Sequence, residues 1–259
     1  VLRDVAAGPT EYLLGSPGGT VTRLAAASGF SPPQLTGNTL FFTTRHGSAG
    51  TSVFRGNLGG CAHRIAEATI GAVEPRGRAL SALVANHWVL LDAEGHQVTT
   101  ISGSGGSWTT DGHLVEPAVG GIDIYDLAGK KKSIKISGVA PLAALGSHQV
   151  LVSTVNGIQV MDIGTGNLSA MLPATQPLRG AAGSPDGNFI AYLDQNGIGQ
   201  VLDTRTHRTV PLPAPALTTG FVWSRDSSWV GVQSTYGGAA MRLADNLVVA
   251  SGAQVVVSW

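Results

Sequence analysis

Two segments carry the reading. Ser153–Gly166 is STVNGIQVMDIGTG, and Tyr192–His207 is YLDQNGIGQVLDTRTH. Both place Asn-Gly between runs of alternating apolar residues and end the second run on an aspartate, Asp162 or Asp203. Asn-Gly between alternating runs marks a tight hairpin, because a type I′ turn needs positive φ at both central residues. The repeat therefore poses one question: whether the aspartates are ligands of a site or the shapers of a recurring turn.

Working outward, hairpin turns are expected at Gly18-Gly19, Gly47–Gly50, Asn86-His87, Gly120-Gly121, Asn156-Gly157, Asn196-Gly197 and Gly237-Gly238, spaced by 31, 37, 34, 36, 40 and 41 residues. A second series, Gly37, Gly77, Gly112, Gly146, Gly187 and Ser227, runs out of phase with it at 40, 35, 34, 41 and 40. A third consists of Asp92, Asp126, Asp162 and Asp203, each closing a strand just before a turn. Aspartate there bonds the backbone two residues on and nucleates the turn. Equivalent positions on the spokes of a ring lie too far apart to share a ligand, so the aspartates are read as turn formers.

Each unit is thus strand, turn, strand, hairpin, strand, Asp-turn, strand. No stretch of twelve residues favours the helical period over alternation. Four strands repeated every 31 to 41 residues without helices describe a β-propeller blade. The expectation is an all-β fold, a single domain over 1–259: a seven-bladed β-propeller of four-stranded antiparallel blades. The N-terminal unit shows a hairpin, EYLLGSPGGTVTRL, without a clear first strand, and the chain ends on AQVVVSW. Pairing the N- and C-terminal strands would close the ring and remove an open edge. The alternative is that VLRDVA adds an outer strand to the last blade.

Composition narrows the partners. Charged residues make up 12% of the chain, about half the usual share. Sixteen basic and sixteen acidic side chains cancel, so no global field draws in nucleic acid. The only basic run, Lys130, Lys131, Lys132 and Lys135, is read as a solvated hairpin tip. The lone Cys61 excludes an internal disulfide and is expected to be a small core residue. Ser137–Met161 lacks Asp, Glu, Lys and Arg but is broken by Pro141, Gly146 and Gly157, so it is not a membrane-spanning helix. The chain opens on Val1 rather than Met, and a leader or anchor ahead of it is expected.

Gly183–Pro213, GSPDGNFIAYLDQNGIGQVLDTRTHRTVPLP, resembles a blade of the TolB or YVTN type of bacterial propeller, with its Ser-Pro-Asp-Gly turn and its Asp-closed strand. Val222–Thr235 and Val160–Ser169 echo the pattern loosely. The resemblance implies a WD-repeat-like fold and, for extracytoplasmic members, lipoprotein or membrane-tethered accessory modules. A minority of such propellers are enzymes such as lactonases. It does not specify an activity.

The seven histidines show no metal-ligand spacing, and there is no nucleophile elbow, phosphate loop or dinucleotide fingerprint. No catalytic residue, metal or cofactor is expected. Binding residues are expected on the rim formed by the hairpins and inter-blade connections: His46, His87, Asp194 and Tyr236, with Arg179 from an inter-blade loop. Each also suits a solvated loop. The Pro-rich connections LPATQPLRG and PLPAPALTTG suit a rigid docking surface, or simply stop sheet edges from pairing. The leading expectation is a non-catalytic protein-interaction or scaffold module of the bacterial cell envelope, tethered ahead of Val1 and docking a membrane-associated protein. The alternative is a small-molecule-binding or lactonase-like propeller with its site at the axial mouth.

Overall fold

The computed structural model describes residues 2–3, 10–15, 21–27, 34–45, 50–57, 61–169, 179–194, 196–213, 218–234 and 237–251. These form only strands and turns, arranged as antiparallel sheets in chain order. The first sheet holds β1 (Leu2–Arg3), β2 (Thr10–Gly15) and β3 (Val21–Ala27). The second holds β4 (Gln34–Thr36), β5 (Thr39–Arg45), β6 (Thr51–Asn57) and β7 (Ala62–Ala66). The third holds β8 (Thr69–Val73), β9 (Ala79–Val84), β10 (His87–Asp92) and β11 (Gln97–Thr100). The fourth holds β12 (Ser107–Trp108), β13 (Leu114–Ala118), β14 (Gly121–Tyr125) and β15 (Lys131–Lys135).

In the fifth, β16 (Ala140–Leu145), β17 (Gln149–Thr154) and β18 (Gly157–Asp162) are followed by a single bridge from Leu168 to Met161. The sixth holds β19 (Arg179–Gly183), β20 (Phe189–Leu193), β21 (Gly199–Asp203) and β22 (Thr209–Pro211). The seventh holds β23 (Thr218–Trp223), β24 (Trp229–Ser234), β25 (Gly237–Arg242) and β26 (Val248–Ser251).

The second to seventh sheets pack face to face in succession and form six propeller blades, where seven were expected. The remaining unit is the three-stranded N-terminal sheet. Its first strand is the chain's own Leu2–Arg3, which pairs with Tyr12 and Glu11, and the rest of VLRDVA lies outside the described residues. AQVVVSW, assigned to ring closure, lies outside the described residues.

The core consists of layers between neighbouring blades. Phe41 and Val53 meet Ile70 and Leu80. Ala79 and Leu90 meet Trp108, Leu114 and Tyr125. Val115, Ile122 and Ile124 meet Val150, Val152 and Met161. Leu145 and Leu151 meet Ile190 and Leu202, and Ala191 and Val201 meet Trp223 and Val230. Neighbours such as Leu114 and Val115 serve opposite layers because side chains alternate across a strand. Second and third strands are therefore buried on both faces, which is why VLL at 89–91 and IDIY at 122–125 hold no solvent-facing position.

The Asp-turns behave as read. Asp92 Oδ1 accepts the amides of Glu94 and His96, and Asp126 Oδ1 those of Ala128 and Lys130. Asp162 holds Thr165, and Asp203 holds Arg205 and Thr206. In the turn between first and second strands, Ser184 Oγ donates to Asp186 Oδ1 at 2.6 Å and accepts the Phe189 amide at 2.9 Å. These turns also stitch blades together. The Thr110 amide reaches Gly146 O, the Gly146 amide reaches Ser184 O, and the Asp186 amide reaches Ser227 Oγ, all at 3.0 Å. A second device recurs in Trp108 and Trp223, whose indoles donate to Ala72 O and Ala182 O in the preceding blade.

Two expectations are corrected. Cys61 is exposed, because it precedes an outer strand rather than a central one. The lysine run is not a hairpin tip but the outer strand β15 with its flank. Lys131 pairs with Asp123 at 2.6 Å, and Lys132 Nζ donates to Ile163 O and Gly164 O of the next blade. Lys135 Nζ reaches Val119 O at 3.4 Å.

Candidate functional site

Within each blade the strands alternate in direction, so the hairpins between second and third strands share one face with the crossings from blade to blade. The other two turns of each blade lie on the opposite face. Asn-Gly and Gly-Gly suggested loops centred on the glycines. Strand pairing sets three of them one residue earlier: Ala85-Asn86, Val119-Gly120 and Val155-Asn156, since Val84 pairs His87, Ala118 pairs Gly121, and Thr154 pairs Gly157. Ala85 and Asn86 take the left-handed conformations of a type I′ turn, with φ of 46° and 68°.

That shift of one residue puts a valine at the tip of two successive blades. Val119 is 96% exposed and Val155 87% exposed. The next hairpin adds Ile198, 49% exposed. Three adjacent blades thus raise an apolar side chain on the same face, where turn residues are ordinarily polar. Covering a Val or Ile side chain fully contributes about 1.5–3 kcal/mol. The signal was present in the sequence, in a valine directly before Gly120 and Asn156.

Of the expected rim residues, His87 opens β10 and is exposed. Asp194 is committed to its own hairpin, where Oδ1 accepts the amides of Asn196 and Ile198 at 2.8 and 2.9 Å. Arg179 begins the first strand of its blade, β19, rather than lying in an inter-blade loop, and its side chain lies outside the described residues. His46 and Tyr236 lie outside them too. His87 and Asp194 share a face but stand on the third and sixth sheets, which are not neighbours.

On the opposite face the structure gathers residues that spacing did not connect. Asp111 Oδ1 lies 3.1 Å from His113 Nδ1, and Asp111 Oδ2 lies 2.9 Å from His148 Nδ1 of the next blade. Burial raises the pKa of the Asp111 carboxyl, but bonds from Thr109 and His113, with the charges of both histidines, outweigh it and hold the group below its ordinary range. Arg78 Nη2 touches Asp111 O at 3.4 Å and pairs with buried Glu74 at 2.6 Å. Among the described residues no group of three His, Cys, Asp or Glu is placed to hold a metal ion.

A second acidic pair was also invisible to spacing. Glu116 and Asp123 face each other across β13 and β14, and both are buried. Desolvation pushes the Glu116 carboxyl up to about 7 against backbone bonds from Ser104 and Gly105, with Asp123 adding to the rise. Burial also pulls Asp123 upward, but bonds from Lys131, Ser133 and Ser102 prevail and lower it.

Solved structures share this architecture at low identity. TolB from Acinetobacter baumannii matches with a TM-score of 0.59 and 16% identity over 86% of this chain and 66% of TolB. The fold is that of a TolB-like β-propeller. An oligogalacturonate lyase in complex with manganese matches with a TM-score of 0.63 and 12% identity, over 93% of this chain and 84% of the lyase. PorZ, a bacterial surface component of the type-IX secretion system of Porphyromonas gingivalis, matches with a TM-score of 0.65 and 13% identity. That match covers 98% of this chain but 37% of PorZ. The chain thus spans just under two thirds of TolB and little more than a third of PorZ. No family model matches the chain, and no curated protein matches it. No helix among the described residues is long and apolar enough to cross a membrane.

Proposed function

We propose that this TolB-like propeller is a protein-docking module whose binding surface is the hairpin face, and that it works outside the cytoplasm beside a membrane-associated partner. The observation that carries this reading is the apolar arc of Val119, Val155 and Ile198 on three successive blades. Singly exposed apolar residues are ordinary, but an aligned set on one face marks an interaction surface. The likeness to TolB and to the surface component PorZ supports the placement outside the cytoplasm. Crosslinked capture from the native membranes tests it. The unaltered chain should retain one stoichiometric protein, and a Val119→Glu, Val155→Glu double variant should lose it. A bait that returns alone at native expression overturns the reading.

A second reading rests on the opposite face. An imidazole held through Nδ1 by a carboxylate presents Nε2 as a general base or ligand contact, and His148 meets that condition at Asp111. This favours a small-molecule site or hydrolytic centre, and the lyase match is compatible with it. A ligand-induced rise in Tm lost in His148→Ala would support this site. If no ligand in a metabolite and sugar screen shifts Tm, the docking reading stands alone.

A further inference from the structure

The crossing from the third to the fourth sheet, Ile101–Gly106, reads ISGSGG and lies on the hairpin face. Two acidic side chains hold it. Glu116 Oε2 accepts the Ser104 amide at 2.9 Å and also holds the Gly105 amide. Asp123 Oδ2 accepts Ser102 Oγ at 2.7 Å, while its other oxygen accepts Ser133 Oγ at 2.6 Å. The crossing fits closely because it lacks side chains, since a Cβ on Gly103 or Gly106 would run into the Glu116 carboxylate.

The two acids differ in what balances them. Asp123 has Lys131 at 2.6 Å. Glu116 is fully buried, its Oε1 has no hydrogen-bond partner, and the charged group that acts on it is Asp123, of like sign. The crossing contributes only Ser, Gly and Ile, the preceding blade meets Gly105 with Ser81 and Trp88, and Tyr125 adds a hydroxyl at Ser102. A buried carboxylate beside another is expensive, whereas a carboxylic acid in the same place costs less, even with its hydroxyl on Oε1 left without a partner.

We propose that Glu116 is a proton-operated latch, which as the neutral acid holds the crossing 101–106 closed and on losing its proton favours an open crossing on the docking face. Opening lets water reach the carboxylate and restores its ordinary acidity, so opening and deprotonation are linked. The crossing is bonded to Glu116 and Asp123, on the two strands that the Val119 hairpin joins, so the state of the latch bears on the surface a partner meets. That consequence rests on the docking reading, whereas the latch itself is a property of the free protein.

Hydrogen exchange of the peptide spanning Ile101–Ser107, corrected for the intrinsic rate, tests it on the isolated chain. Protection of Ser104 and Gly105 should fall about tenfold per pH unit between roughly pH 5 and 7, level off above, and change about 300-fold in all, as the rise from 4.5 to about 7 requires. In Glu116→Gln the same peptide should show no such slope. A slope that persists in the glutamine variant, or its absence from the unaltered protein, overturns the latch. Should the variant fail to fold, carboxyl NMR of Glu116 in the unaltered chain decides instead. A midpoint near 7 supports the latch, and one at or below 4.5 ends it. Loss of partner capture would leave the exchange slope unaffected, so failure of the docking reading and failure of the latch are separate results.

Discussion

His148 Nδ1 sits 2.9 Å from Asp111 Oδ2, and the contact crosses from the fifth sheet to the fourth. The Asp111 pKa is lowered in the fold, so its stabilising contribution is complete above 3.8, the ordinary value, and is lost as pH falls through the folded value below it. Asp111→Asn should therefore cost about 1 kcal/mol at neutral pH, and the difference from the unaltered protein should shrink under acid. Urea melts from pH 6 down to 3 would read it. His148→Ala should cost less, because that imidazole is 65% exposed and screened by water.

The Trp223 indole donates to Ala182 O at 3.0 Å and belongs to the layer between the sixth and seventh sheets. Trp223→Phe keeps most of the apolar ring but strands the carbonyl. The expected loss is about 1–3 kcal/mol, read as a lower urea midpoint with unchanged slope. Trp108→Phe should behave alike, since its indole makes the matching bond to Ala72 O.

The two glycines of the Gly-Ser-Pro-Asp-Gly stretch, Gly183 and Gly187, differ in what they forbid. Gly187 has φ of +78°, but an added Cβ would find its nearest neighbour at an ordinary 3.6 Å. Gly187→Ala should cost about 1–2 kcal/mol from backbone strain alone. At Gly183 an added Cβ would meet Ala144 O at 2.2 Å and Leu145 Cα at 2.9 Å. Gly183→Ala should be the worse of the two in a thermal melt, because the inner strands of two blades would have to part.

Glu116 gives the opposite pH signature to Asp111. Its folded pKa is raised from 4.5 to about 7, so its contribution is full below pH 4.5 and declines as pH rises to about 7, by about 1.4 kcal/mol per unit. Glu116→Gln should remove that decline, making the variant relatively more stable at pH 8 than at pH 5. Paired denaturant melts at the two pH values decide it.

Charging the hairpin tips should spare the fold. Val119 and Val155 are so exposed that Val119→Glu and Val155→Glu should each shift stability by less than about 0.5 kcal/mol. A larger loss in either melt would show that the tip is structural rather than a free surface.

The sequence by itself determined the repeat, the all-strand blade and the work of its aspartates. Those are local facts: Asp162 and Asp203 act on amides two or three residues away, and alternation is written in consecutive residues. It misplaced what depends on register. A hairpin loop one residue earlier than the glycine moved Val119 and Val155 onto the tips, because the pairing partner, not the turn residue alone, sets where a strand ends. Only the tertiary structure decided the sites. Asp111 meets His148 from 37 residues away along the chain. Glu116 becomes a buried acid only when the crossing is laid over it and Asp123 is paired opposite. The first is a product of one blade closing on another and the second of a crossing laid over a paired hairpin, and neither leaves a fixed spacing along the chain.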